Sequence, residues 1–350
     1  MLFNLSILLF SFVISFFTLL LLINNFFDKL LIQKKIKDLA RIRWGESDKS
    51  HYGGFSFAIS IIILNFILVI FYKNFFLENF NNIFFFSLII VLAGFFGLID
   101  EKYSCKPVEK LVLQFIIASL LVLDGKLINF SSSDTFNIFF TIFYYIFIFN
   151  VINMFDNIDL GLASISIPIV IILLAMQNTD TNTVILFIFL GSLIAFSFFN
   201  YHPSKIFMGD IGSFQIATIL SAISCDIFWS EYRFDGYFNS IYNLGLQNLI
   251  FIIPLSDFII VSYRRFYLGK SLIVGDTNHI SHIFNFKINN PNIIALIFFI
   301  LTSVSGLFYF ILKIYFVPSK YSLLLILIFY IVSLLLFYYF YYLITQKKND

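Results

Sequence analysis

The chain alternates long apolar runs with short polar interruptions. Runs of about twenty residues, long enough as helices to cross about 30 Å of hydrocarbon, fall near 3–23, 54–72, 82–99, 108–123, 136–153, 163–177, 183–199, 212–229, 245–263, 291–312 and 321–343. This pattern predicts an all-α, polytopic integral membrane protein with eleven transmembrane helices. The count falls to ten if one of the short runs, 108–123 or 163–177, stops within the bilayer. No internal repeat or soluble insert breaks the series, so residues 1–350 read as one transmembrane domain. Its longest extramembrane pieces lie near 24–53 and 264–290. The first run has no basic residue in front of it, exceeds a signal-peptide core in length and lacks a small-residue cleavage site, so it reads as a retained helix.

Composition agrees with this reading. The chain is 60% hydrophobic and 12% charged, against about 25% charged residues in soluble domains. A net charge of +2 gives no reason to expect nucleic acid or another polyanion as a partner. Cys105 and Cys225 are the only cysteines, too few for a disulfide framework. The 51 phenylalanines, beside abundant Ile, Asn and Lys, have the look of a coding bias rather than a designed surface.

Charge sets the expected orientation. With the amino terminus outside, only Lys73, Lys126, Arg233, Lys313 and Lys320 among the 22 lysines and arginines fall in outer loops. That is a firm positive-inside bias, and it puts the carboxyl terminus in the cytoplasm. Polar chemistry then gathers on one face, in loops near 24–53, 100–107, 154–162, 200–211 and 264–290. All four histidines, His51, His202, His279 and His282, fall there as well.

Four stretches on that face carry candidate chemistry. Asp100-Glu101, followed by Pro107 and Lys110, places adjacent carboxylates at a helix end; they could bind a cation, act as a base, or mark the membrane boundary. In the second, Asn150, Asn153, Asp156 and Asp159 recur every third residue, so on a helix they share a slowly drifting polar face. A membrane-embedded Asp costs about 2.5 to 3.5 kcal/mol on insertion scales, so such residues face a wet cavity more often than lipid. The third runs from Phe199-Asn200 through His202-Pro203 and Phe207 to Gly209-Asp210-Ile-Gly212-Ser213. It opens a helix with small residues and free backbone N–H groups around one carboxylate, suited to phosphate or to a hard cation, though a plain helix cap reads equally well. The fourth, Asp276-Thr-Asn-His279-Ile-Ser-His282, follows Asp257 and Arg264-Arg265. It offers donors for a diphosphate more readily than a zinc site, since no soft third ligand accompanies the histidines.

In this order, the four stretches resemble the signature of the polyprenyl-phosphate N-acetylhexosamine-1-phosphate transferases, from about Gly53 to His282. Asp100-Glu101 matches the family's acidic pair with Glu in second place. Asn150, Asn153, Asp156 and Asp159 match its Asn-x-x-Asn-x-x-Asp-Gly-x-Asp-Gly motif, with Asn157 at the first Gly and Leu160 as an extra residue before Gly161. Phe199 to Ser213 matches almost throughout. Asp276, His279 and His282 match its histidine loop, with Ser281 in place of the middle histidine.

The resemblance implies transfer of a sugar-1-phosphate from a UDP-sugar to polyprenyl (undecaprenyl) phosphate, with release of UMP, at a bacterial plasma membrane. It implies Mg2+, with Mn2+ as an alternative, held by Asp210 with Asp156. Asp100, Glu101, Asp156 and Asp159 become the catalytic carboxylates, with Asp100 as the expected base. Asn150, Asn153, Asn200, Phe207, Lys110, Arg265, His279 and His282 become substrate contacts, with Phe207 stacked on uracil. A homodimer is compatible with this reading. The histidine loop is nearer to the N-acetylglucosamine and O-antigen-initiating enzymes than to the muramoyl-pentapeptide branch. The rival readings are a transporter, which would need mid-helix charges and inverted repeats, and an inactive lipid-binding homologue, to which Glu101, Ser281 and Leu160 would point.

Overall fold

A computed structural model describes residues 2–23, 49–71, 73–177, 179–269, 279–315 and 318–346. The protein is all-α. Its helices are α1 (Leu2–Ile23), α2 (Phe55–Phe71), α3 (Lys73–Tyr103), α4 (Pro107–Leu123), α5 (Asp134–Phe155), α6 (Gly161–Met176) and α7 (Asp180–Asn200). They continue with α8 (Gly209–Trp229), α9 (Tyr237–Leu249), α10 (Ile252–Tyr267), α11 (Ile280–Ile288), α12 (Pro291–Tyr315) and α13 (Lys320–Gln346). Most of the expected loop near 24–53, and Asp276 with its neighbours, lie outside the described residues.

Every apolar run of the sequence has become helix, yet not every helix is a full span. Among the described residues, α1, α3, α5, α7, α8, α12 and α13 are long and apolar enough to cross a membrane, seven in all, or eight if α9 and α10 are taken as one bent span. The chain is therefore a polytopic membrane protein. Helices α2, α4 and α6 have 17, 17 and 16 residues, so each covers about 25 Å at 1.5 Å per residue.

One expected element is corrected. The run 245–263 is not a single helix: α9 and α10 meet at 94° across Ile250 and Phe251. Pro254 supplies the reason. It has no N–H to continue the α9 ladder back to Ile250, while it is tolerated in the opening turn of a new helix.

Helix α8 is the axis of the bundle. In its membrane window 89% of the residues are buried, against 17% for α13 at the periphery. Small residues let other helices close on it, as in membrane bundles generally. On α3, a Cβ added at Gly97 would lie 2.3 Å from the Asp210 carbonyl oxygen, and one at Gly94 would lie 2.0 Å from the Gln215 amide. Just ahead of α2, Gly54 approaches Gly212 just as closely. The close contact with α3 sets the carboxylates at its end beside the start of α8.

Candidate active site

The site begins where α8 begins. Gly209 has φ +70, and a Cβ there would lie 2.0 Å from the His51 carbonyl oxygen, so only glycine suits this turn. The turn presents Asp210 in the first turn of α8, 6% exposed. Its backbone N–H donates to Glu101 Oε2 at 2.9 Å. Glu101 thus caps the α8 amino terminus from α3, where a negative charge is favoured, and its other oxygen lies 3.5 Å from His51 Nδ1.

Backbone pairing closes this end of the bundle. Phe207 N–H donates to Ser50 O at 2.9 Å, Gly53 N–H to Phe207 O at 2.9 Å and Gly54 N–H to Met208 O at 3.0 Å. The same segment sets the His51 ring 5.1 Å from the Phe207 ring, with Lys49 Nζ 5.4 Å from that ring's centre.

Asn153 joins the first three sequence motifs. Its Oδ1 accepts from Lys110 Nζ at 3.0 Å, and its Nδ2 donates to Ser213 Oγ at 2.7 Å and to Asp210 Oδ1 at 3.3 Å. Lys110 Nζ also lies 2.8 Å from Asp100 Oδ2. Asp100, Lys110, Asn153 and Asp210 therefore form one continuous network across α3, α4, α5 and α8. A buried carboxylate survives in such a place when it is paired, and Lys110 pairs Asp100, which is 3% exposed. One turn deeper, Asn150 and Gln114 exchange side-chain hydrogen bonds at 2.9 and 3.3 Å. The spacing of Asn150 and Asn153 thus serves two layers of the same α4–α5 contact. Between α3 and α4, burial and the neighbouring Asp100 and Glu109 carboxylates push the Cys105 thiol above its usual range.

Asp156 ends α5 and is half-buried. Beyond it the chain turns through Leu160, which adopts φ +60, an uncommon conformation for a residue with a branched side chain. Asn200 stabilises it: Oδ1 accepts Leu160 N–H at 2.7 Å while Nδ2 donates to Ile206 O at 2.7 Å. This residue, expected against the nucleotide, spends both ends of its amide holding two loops together. The turn sends Asp159 to the α7–α8 loop, where its Oδ2 lies 2.7 Å from His202 Nδ1 and accepts Ser204 N–H at 3.3 Å. His202 is tied in turn to the α11–α12 junction, its N–H donating to Asn292 Oδ1 at 2.9 Å.

The last group stands on α10 and α11. His279 and His282 pack edge to face with ring centres 6.1 Å apart, and His279 Nδ1 lies 2.8 Å from Asp257 Oδ2. Arg265 is 5% exposed in the last turn of α10. The described side-chain hydrogen bond of His279 leads to α10, not to the Asp100–Asp210 network. Glu101's capping role and the partners His51, His202, Asp257, Gln114 and Ser213 were not assigned from sequence. All sit inside or beside the motifs, yet only folding shows whom they meet.

Oxygen dominates the donor set, which suits a hard cation such as magnesium. Among the described residues no three His, Cys, Asp or Glu side chains gather closely enough to hold a metal on their own. Magnesium commonly takes one or two carboxylates and completes its shell with water and substrate phosphate. Asp210 beside the Asn153 amide fits that use.

A helical membrane protein with acids, amides and a lysine converging at one end of the bundle is equipped for anionic, phosphate-bearing ligands. Comparison with known proteins points the same way. Residues 83–227 match the family model described as Glycosyl transferase family 4, a region holding the first three motifs, and the chain is similar to phospho-N-acetylmuramoyl-pentapeptide-transferases. One from Streptococcus pneumoniae is 29% identical over 192 residues, covering 49% of this chain and 57% of that protein. One from Dictyoglomus turgidum is 28% identical over 240 residues, covering 63% of this chain and 74% of that protein. The chain thus spans a little over half the length of the pneumococcal relative.

Proposed function

We propose that this protein transfers a sugar-1-phosphate of the N-acetylhexosamine type from a UDP-sugar to polyprenyl phosphate. A lipid phosphate oxygen would attack the sugar-bearing phosphorus of the diphosphate, breaking its bond to the bridging oxygen, so that UMP leaves and a lipid diphosphate-sugar remains. The observation that carries this reading is the Asp100–Lys110–Asn153–Asp210 network. Phosphoryl transfer asks for positioning and charge compensation more than covalent chemistry. The network offers a half-buried cation, a fixed amide and two carboxylates within a few ångströms. Asp210, with Asp156, would hold magnesium, which supplies electrophilic compensation of the diphosphate charge. Asp100, poised by Lys110, would receive or orient the lipid phosphate. Phe207 would meet uracil, and His279, His282 and Arg265 the diphosphate.

The same reading makes residues 1–350 one unit of eleven spans in a bacterial plasma membrane, amino terminus out. Two observations support it: the basic residues favour that orientation, and hydrogen bonds gather the loops at 50–54, 153–160, 200–210 and 290–292 at one end of the bundle. The histidine loop favours N-acetylglucosamine as the sugar.

The test is UMP release by the purified protein in lipid with undecaprenyl phosphate and a panel of UDP-sugars, with and without magnesium. Magnesium-dependent release with an N-acetylhexosamine donor is expected. Asp210→Asn should stay folded and lose activity by about 10²- to 10³-fold, the scale of losing one preorganised electrostatic group. Full activity of that variant at ordinary magnesium would remove Asp210 from the metal site.

A further inference from the structure

Asp257, on α10, is 2% exposed, and both of its oxygens are committed to the start of α11. Oδ2 lies 2.8 Å from His279 Nδ1, and Oδ1 accepts the Ile280 N–H at 2.7 Å. His279, 4% exposed, occupies the cap position of α11 in extended conformation, φ −70 and ψ 157. A carboxylate this deep needs both oxygens satisfied. Capping α11 from outside accounts for the Ile280 bond. It does not account for the second oxygen, which goes to an imidazole.

We propose that Asp257 is a positioning residue for His279: it holds the ring by Nδ1, so that Nε2 is the nitrogen offered to the diphosphate. The inference rests on the proposed function, in which His279 meets that diphosphate. The Nδ1–H donates to the carboxylate, which fixes which ring nitrogen carries the outward role. When the ring is protonated, Nε2–H donates to an anionic oxygen while Asp257 balances the added charge from the far side. Turning the ring over would break a buried hydrogen bond, and the His282 ring packed edge to face at 6.1 Å restricts it further. Arg265, eight residues further along α10, is a buried cationic group on the same helix. The α9–α10 bend matters here because it starts α10 just before Asp257 and so sets where the carboxylate stands.

The experiment is a double-mutant cycle on UMP release with Asp257→Ala, His279→Gln and the pair, read as kcat and KM for the UDP-sugar. Expected for Asp257→Ala is a fall in kcat of about 10- to 100-fold, the usual cost of losing an outer partner of a functional histidine, with KM little changed. In the His279→Gln background the same substitution should cost less than about 3-fold, because coupled residues are not additive. An equal loss in both backgrounds would make Asp257 a helix cap and overturn the proposal, as would a fully active His279→Gln. If Asp257→Ala does not fold, Asp257→Asn, which keeps the shape, is read by the same cycle. Histidine-selective nitrogen NMR decides independently of turnover. A His279 ring protonated on Nδ1 in the wild type and altered in the Asp257 variant supports the proposal, and an unaltered ring refutes it. A wild type that releases no UMP from any donor would defeat the reaction assignment, while the spectrum still decides the positioning.

Discussion

The Asp159 carboxylate lies 2.7 Å from His202 Nδ1, across the gap between the α5–α6 turn and the α7–α8 loop. Leu160, at φ +60, turns Asp159 toward that partner, and the pair is open to solvent on the His202 side, whose side chain is 47% exposed. Exposed pairs of this kind contribute about 0–1 kcal/mol. Asp159→Ala and His202→Ala are each expected to change kcat/KM by less than about 5-fold, on the scale of that pair energy. The double variant should behave like either single, measured by UMP release. Independent, multiplying losses would show that Asp159 meets substrate directly.

Lys110 compensates a carboxylate that is almost wholly buried. Lys110→Met leaves Asp100 without its 2.8 Å partner, and breaking a buried pair on one side costs about 3–5 kcal/mol. Thermal unfolding in detergent should shift clearly downward. Adding Asp100→Asn should recover much of the shift while leaving the protein inactive. No recovery in the double variant would mean that Lys110 acts on stability through Asn153 instead.

The contact of α3 with α8 tolerates no side chain at Gly97, where an added Cβ would meet backbone on both counts, the Asp210 carbonyl and the Ile211 Cα. Gly97→Ala should destabilise by about 1–3 kcal/mol, as overpacking does. It should lower activity by more than its stability loss explains, because the displaced atoms carry Asp210. Wild-type kcat at a temperature where the variant is fully folded would contradict this.

Cys105 gives a native probe of orientation, since Cys225 is fully buried. The raised pKa of Cys105 leaves less thiolate at neutral pH than an ordinary cysteine has, so alkylation should be slow near pH 7 and accelerate as pH rises toward that pKa. At mildly alkaline pH, an impermeant maleimide should label the protein only after the membrane is opened to its cytoplasmic face. Labelling of intact cells would invert the proposed topology.

Much of this architecture could be read from the order of residues, because lipid permits few backbone solutions and long apolar runs announce helices. The runs became α1 to α8, α12 and α13 with boundaries close to those expected, except that α3 starts at Lys73, well before the expected residue 82. The α9–α10 bend escaped because hydropathy runs on across it, and Pro254 alone marks the break. The motifs located the site, but spacing cannot say which polar atoms are already engaged. Asn200 has the residue type of a ligand, and its amide is occupied by Leu160 N–H and Ile206 O. Asp257 drew notice only as a neighbour of the arginines, because its partner is 22 residues away on another helix. Glu101 looked like half of a catalytic pair, and the geometry also makes it the cap of α8.

The closure between Ser50–Gly54 and Phe207–Met208 is made of amides and carbonyls, so outside its glycines nearly any non-proline side chain preserves it. Side chains at those positions can therefore change without loosening the frame that holds the start of α8. Drift halts at Gly54, Gly97 and Gly209, where the space for a side chain is already filled by backbone. At these glycines the backbone itself, and not a replaceable side chain, sets how closely the helices approach.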